Sequence, residues 1–140
     1  PLYSSAASDV YKRQTLAITG ILAVSIGAFG AHGLKPRLTS AQLNTFNTGV
    51  NYHFYHLLAM SFTYLLYIYT DHKWVRIGFW SFLAGIVMFS GSLYLLSIRE
   101  LIDLTTYKWL GPLTPIGGVC FIFGWVCIMI SAYKSQDILE

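Results

Sequence analysis

The chain has 140 residues, of which 55% are apolar, 16% aromatic and only 11% charged. A soluble domain carries about 25% charged residues, so this balance, with a positive mean hydropathy, excludes an ordinary soluble domain and points to lipid. The formal net charge is only +3 and the nine Lys and Arg are scattered instead of forming a stripe, which excludes nucleic acid as the expected partner.

In chain order, Leu2 to Gln14 is polar and lacks the apolar core of a signal peptide. Its end, Asp9-Val10-Tyr11-Lys12-Arg13-Gln14, resembles translated sequencing-adaptor read-through, so residues 1–14 read as a non-native tail and 15–140 as a single membrane domain. The first predicted span covers about 15–31 and is uncharged, at the lower length limit for crossing a hydrocarbon core about 30 Å thick. Lys35, Pro36 and Arg37 stop it. Thr39 and Gln42 then have the spacing of a capping box, and the sequence predicts a short interfacial helix over residues 40–48.

The second predicted span, about 50–70, is rich in aromatics and ends at Asp71-His72-Lys73, with Trp74 as an interface anchor. The third covers about 75–98. The fourth, about 109–133, is entered through Pro112 and Pro115, where missing amide donors cost least. Continuously apolar runs of about 20 residues favour helices over barrel strands, which alternate over about ten. The expected fold is therefore all-α, an integral membrane four-helix bundle.

Small residues recur at intervals of seven: Gly20 and Gly27; Gly78, Gly85 and Ser92; Gly117, Gly124 and Ser131. Seven residues is two turns of a left-handed crossing, so each stripe, joined by Gly30, is expected to let helix backbones approach closely. Cys120 and Cys127 are also seven apart, which separates them by about 10.5 Å of helix rise. That is too far for a disulfide, and both read as buried thiols.

Short gaps force successive helices to alternate direction. One membrane side therefore gathers His32, Asn51, Tyr52, His53, His56, Ser90, Ser92 and Thr114. Polar side chains at membrane depth are costly and tend to face the bundle interior or a wet cavity. His32, Asn51, Tyr52, His56, Ser90, Ser92 and Thr114 are accordingly the candidate ligand-binding residues. His32, His53 and His56 are imidazoles that zinc or haem iron would accept, although no Asp or Glu lies within the spans to complete a site. No catalytic set is evident: Ser90 and Ser92 lack an acid partner, and the glycines from Gly27 to Gly33 precede no phosphate-loop Lys-Ser or Lys-Thr pair.

Four segments carry a family resemblance: Gly27-Ala28-Phe29-Gly30-Ala31-His32-Gly33-Leu34; Phe46 with Thr48-Gly49-Val50 and Tyr52 leading to His56; Phe89-Ser90-Gly91-Ser92-Leu93-Tyr94; and Gly111, Thr114-Pro115, Gly117-Gly118 leading to Gly124-Trp125. In this order, from about Ile26 to Trp125, they resemble the bacterial membrane family called domain of unknown function 423, related to eukaryotic transmembrane protein 256. The family usually has glutamine where this chain has His53, which weakens a histidine metal site. The resemblance implies a four-helix integral membrane protein, of the inner membrane in bacteria, and supplies no mechanism.

The leading expectation is a non-enzymatic multi-pass membrane protein without a cofactor, whose polar layer binds a lipid, a small ligand or a partner helix. Its expected partners are the bilayer and either a second copy or a membrane partner protein. The alternatives are a histidine-based metal or haem redox protein and a small dimeric transporter.

Overall fold

The first helix, α1 (Leu2–Phe29), carries the polar amino-terminal residues and the first apolar run without a break. It ends in a π-type turn over Gly30–Leu34, where the Lys35 amide donates to the Gly30 carbonyl five residues back at 3.1 Å. The architecture comes from a computed structural model that describes the backbone of residues 2–104 and 109–136 and the side chains of 9–104 and 109–134.

Helix α2 (Ser40–Thr70) starts at a complete capping box. The Gln42 amide donates to Thr39 Oγ1 at 3.3 Å, while Gln42 Oε1 accepts from the Thr39 amide at 2.9 Å. Thr39→Ala removes one of the two reciprocal bonds and is expected to cost about 1 kcal/mol of stability in detergent-solubilised protein, read from the unfolding midpoint. From this cap α2 runs for 31 residues, so residues 40–48 form the opening turns of a long helix and not a separate interfacial one. Nothing between Thr48 and Val50 interrupts it, because Gly49 sits against α-helical neighbours and keeps a helical backbone.

A two-residue connection reverses the chain. Asp71 takes the left-handed conformation (φ 42°) and closes α2 by donating to the Tyr67 carbonyl, and His72 Nδ1 accepts from the Trp74 amide to start the next helix. That helix is one rod of three parts: α3 (Lys73–Gly85), a π segment (Ile86–Ser90) and α4 (Gly91–Ile98). Helix α5 (Leu110–Gln136) follows, with Pro115 in its early turns.

The four rods pack in series, each antiparallel to the one before. Helix α1 packs on α2, α2 on the α3–α4 rod, and that rod on α5. The core is Ala59, Met60 and Tyr64 of α2 with Phe79, Phe82, Ile86 and Phe121 from its neighbours. Against α5 the rod interlocks at glycines: the Phe121 ring occupies the space above Gly85, the Phe82 ring that above Gly124, and the Phe89 backbone lies on Gly117. Gly78 faces Cys127 and the Gly124 carbonyl, where an added Cβ would sit 3.3 Å from each. Gly20 and Gly27 of α1 make ordinary contact with Leu57 and Val50, and Gly30 lies under the Phe46 ring.

Three helical segments, Asp9–Leu34, Lys73–Ile98 and Leu110–Lys134, are long and apolar enough to cross a membrane. Helix α2, which contains the second expected span over 50–70, is as long but less apolar than these three, because Asn51, His53, His56 and a series of tyrosines dilute it. It occupies a central place, with His53, His56, Thr63 and Tyr64 buried under its neighbours. Ile18, Ile21 and Val24 of α1, Leu58 and Leu65 of α2, and Val119, Ile122 and Met129 of α5 are exposed, an apolar periphery suited to lipid. The fold is an all-α integral membrane bundle.

Candidate functional site

The most connected polar side chain is His53, which is 3% exposed at the centre of α2. Its Nε2 lies 3.1 Å from the Thr19 carbonyl of α1, and its Nδ1 lies 3.0 Å from the Tyr94 hydroxyl of α4. A carbonyl only accepts, so Nε2 carries the proton and Nδ1 of the neutral ring accepts from Tyr94. One imidazole thereby ties three helices together. Gly49, one turn before His53, makes the arrangement possible, since an added Cβ there would lie 2.9 Å from the Tyr94 ring and 3.2 Å from Leu93.

One turn further on, His56 is part of an aromatic stack. Its Nδ1 donates to the Tyr52 carbonyl at 2.9 Å, as α2 leaves that oxygen facing it, and its ring lies parallel to Phe121 of α5 with centroids 3.4 Å apart. Tyr52 packs on Phe89 of the π segment at 4.6 Å and lies alongside His56 at 5.9 Å. A third polar contact joins α4 to α5. Ser92 Oγ donates to the Phe89 carbonyl at 2.9 Å, so the Thr114 hydroxyl, 2.7 Å away, donates to Ser92. Ser81 Oγ likewise reaches across from α3 to the Cys120 carbonyl at 2.8 Å.

The remaining candidates stand apart. His32 is exposed on the π-type turn that ends α1, and Asn51 is exposed on α2. Ser90 is fully buried, yet its Oγ has no hydrogen-bond partner among the described residues. Ser92, Ser97 and Ser131, by contrast, satisfy their hydroxyls on carbonyls three residues back. The expected layer is therefore three separate contacts, His53–Tyr94, Tyr52–His56–Phe121 and Ser92–Thr114, with His32 and Asn51 outside all of them.

The three histidines that zinc or haem iron would accept are differently engaged. His53 has both nitrogens engaged, His56 has its Nδ1 on a carbonyl, and His32 is exposed on another helix end. Among the described residues no three His, Cys, Asp or Glu side chains converge on a metal position. Cys120 and Cys127 are free thiols, the second buried.

Thr19, Gly49 and Phe121 complete this region without having stood out as site residues. The sequence holds a weak signal for Gly49, which lies four residues before His53 and hence on the same helix face. Thr19 contributes only a carbonyl, which no residue type advertises.

Helical rods with an apolar periphery and interhelical polar ties define a multi-pass membrane protein. Residues 26–118 match the family described as "Protein of unknown function (DUF423)", and the chain belongs to that family. It is similar to the UPF0382 membrane protein YwdK of Bacillus subtilis (strain 168), with 42% identity over 84% of this chain and 92% of the relative. It also resembles the UPF0382 membrane protein SAB0533 of Staphylococcus aureus (strain bovine RF122 / ET3-1), at 40% identity over 84% and 91%. A UPF0382 membrane protein of Haemophilus influenzae is 35% identical over 88% of this chain and 94% of its own length. No solved structure matches significantly. The protein is thus a small integral membrane protein, of the inner membrane in bacteria.

Proposed function

We propose that this is a non-enzymatic membrane protein that works by binding lipid headgroups at one end of the bundle, with the polar contacts deeper in the bundle holding the rods together. The observation that carries the reading is the use of His53. A buried imidazole bonded through both nitrogens to two other helices is committed to assembly and unavailable as a base or a ligand. His56 is pinned between a carbonyl and the Phe121 ring, and the buried Ser90 hydroxyl has no base beside it. These groups favour holding over turnover.

The end they brace joins the close of α1, the start of α2, the close of α4 and the start of α5. Its exposed Lys35, Arg37 and Arg99 suit an interface with phosphate-bearing headgroups. The test is native mass spectrometry of the detergent-solubilised protein. Retained phospholipid that falls when His53→Ala loosens the bundle is the expected result. Protein that retains no lipid after mild extraction, or after return to lipid nanodiscs and re-extraction, overturns the reading.

A further inference from the structure

At that same end a cavity of about 250 Å³ opens between the first turns of α2 and the end of α4. Its walls are the apolar Ala41 and Leu96, the hydroxyl-bearing Thr45 and Ser97, and two charged residues adjacent in sequence, Arg99 and Glu100. We propose that this cavity binds a zwitterionic phosphoamine headgroup, a phosphate linked to a primary ammonium, as carried by phosphatidylethanolamine. The assignment rests on the lipid-binding reading above and names its site and ligand class.

The carboxylate is held in place. Gln42 Nε2 donates to Glu100 Oε2 at 3.0 Å, and Gln42 is itself fixed through Oε1, which accepts from the Thr39 amide at 2.9 Å and the Thr39 hydroxyl at 3.1 Å. Among the described residues nothing bonds the second carboxylate oxygen, which is left for a cation. Arg99 and Glu100 line one cavity without pairing with each other, since the ion pair among the described residues is Lys12 with Asp9. A plain anion at Arg99 would meet the Glu100 charge, and a plain cation at Glu100 would meet Arg99. A ligand with both signs one short linker apart satisfies both.

Size and depth agree with that chemistry. The volume is below the roughly 300–1,000 Å³ of pockets that enclose a whole small ligand, so it suits a headgroup whose remainder lies outside. Leu96 and Ala41 give the glycerol end an apolar wall. A primary ammonium can donate hydrogen bonds to Glu100 and to the Thr45 hydroxyl, which a trimethylammonium cannot. Phosphatidylethanolamine is therefore favoured over phosphatidylcholine, and over phosphatidylglycerol, which lacks the cation. The same headgroup chemistry exists in soluble phosphoethanolamine, but the cavity sits at the end of the membrane-crossing rods, where lipid is the concentrated source.

The experiment reconstitutes the full chain into nanodiscs with equal parts of the three lipids, extracts it mildly and measures retained lipid by native mass spectrometry. The expected result is about tenfold enrichment of phosphatidylethanolamine over each of the others. Glu100→Gln, which keeps the side-chain shape, should bring phosphatidylethanolamine to within about twofold of phosphatidylcholine. Arg99→Gln should reduce retention of all three phosphate-bearing lipids together, and Thr45→Leu, which fills the cavity, should abolish the selectivity. Unfolding midpoints within a few degrees of wild type confirm that the variants are folded. Lipid retained without headgroup preference, or a preference untouched by Glu100→Gln and Thr45→Leu in folded protein, overturns this site and leaves the broader reading standing. No retained lipid at all overturns both. Displacement of the bound lipid by equimolar free phosphoethanolamine overturns the lipid as the source.

Discussion

Gly117→Ala is expected to be the most damaging single-methyl addition in the bundle, costing about 3 kcal/mol. Its Cβ would fall on the Phe89 backbone amide, with the Phe89 Cα only 2.8 Å away. Main chain inside a helical rod has no rotamer to change, so relief requires moving α5 away from the α3–α4 rod. Overpacking of a filled core typically costs about 1–3 kcal/mol, and this site belongs at the upper end because the obstacle is backbone. Gly91→Ala supplies the contrast, since a Cβ there meets nothing within 4 Å. It should be neutral or stabilising by up to about 1 kcal/mol through helix propensity alone. Reversible denaturation of the two variants in mixed micelles measures the difference. Equal stability of the two would show that α5 does not depend on the close approach at Gly117.

The second large effect concerns His53. His53→Ala removes the bonds to Tyr94 and to the Thr19 carbonyl and empties a buried volume. A loss of about 2–4 kcal/mol is expected, combining a buried hydroxyl left without its acceptor with a cavity. Tyr94→Phe removes only one bond and should cost about 1 kcal/mol. Interhelical bonds in membranes average about 0.6 kcal/mol and reach about 1.7, so a double-mutant cycle should return a coupling in that range between the two residues. His53→Gln is the informative rescue, because an amide offers a donor for Thr19 and an acceptor for Tyr94 and should recover most of the loss. A coupling indistinguishable from zero would mean that the two groups do not share a bond in the membrane.

Much of the fold was legible in the sequence because in lipid the backbone must satisfy itself, which makes a long apolar run a helix. Short gaps made the rods antiparallel, and Thr39 with Gln42 marked the start of α2. The joining of residues 40–48 to the helix that follows was not legible, since amphipathic turns look alike whether they lie in an interface or pack on a neighbour. The polarity of α2 was visible, but not that its central position would compensate for it.

The site was legible only to the level of a shared membrane side. Which residues meet depends on the rotation of each rod about its own axis, and a shared end does not fix that. His32, the most prominent polar residue by its glycine-rich setting, is exposed, whereas His53, set aside because the family usually has glutamine there, joins three helices. The rings that enclose His56 come partly from Phe121, one apolar residue among many in α5, and nothing in its type separates it from its neighbours. The pairing of Ser92 with Thr114 required the crossing point of two rods, which tertiary packing alone provides.

The π segment over Ile86–Ser90 sets the rotational phase of everything after it. Each α-helical residue turns the chain by about 100°, and a π turn absorbs one extra residue at little change in axis direction. The same residues wound as an unbroken α-helix would swing Ser92 and Tyr94 through roughly that angle relative to Gly78 and Gly85. The upper half would keep its glycine seats on α5 while the lower half turned its tyrosine away from His53. The winding of these five residues is thus a timing element, keeping two faces of one rod pointed at two different neighbours.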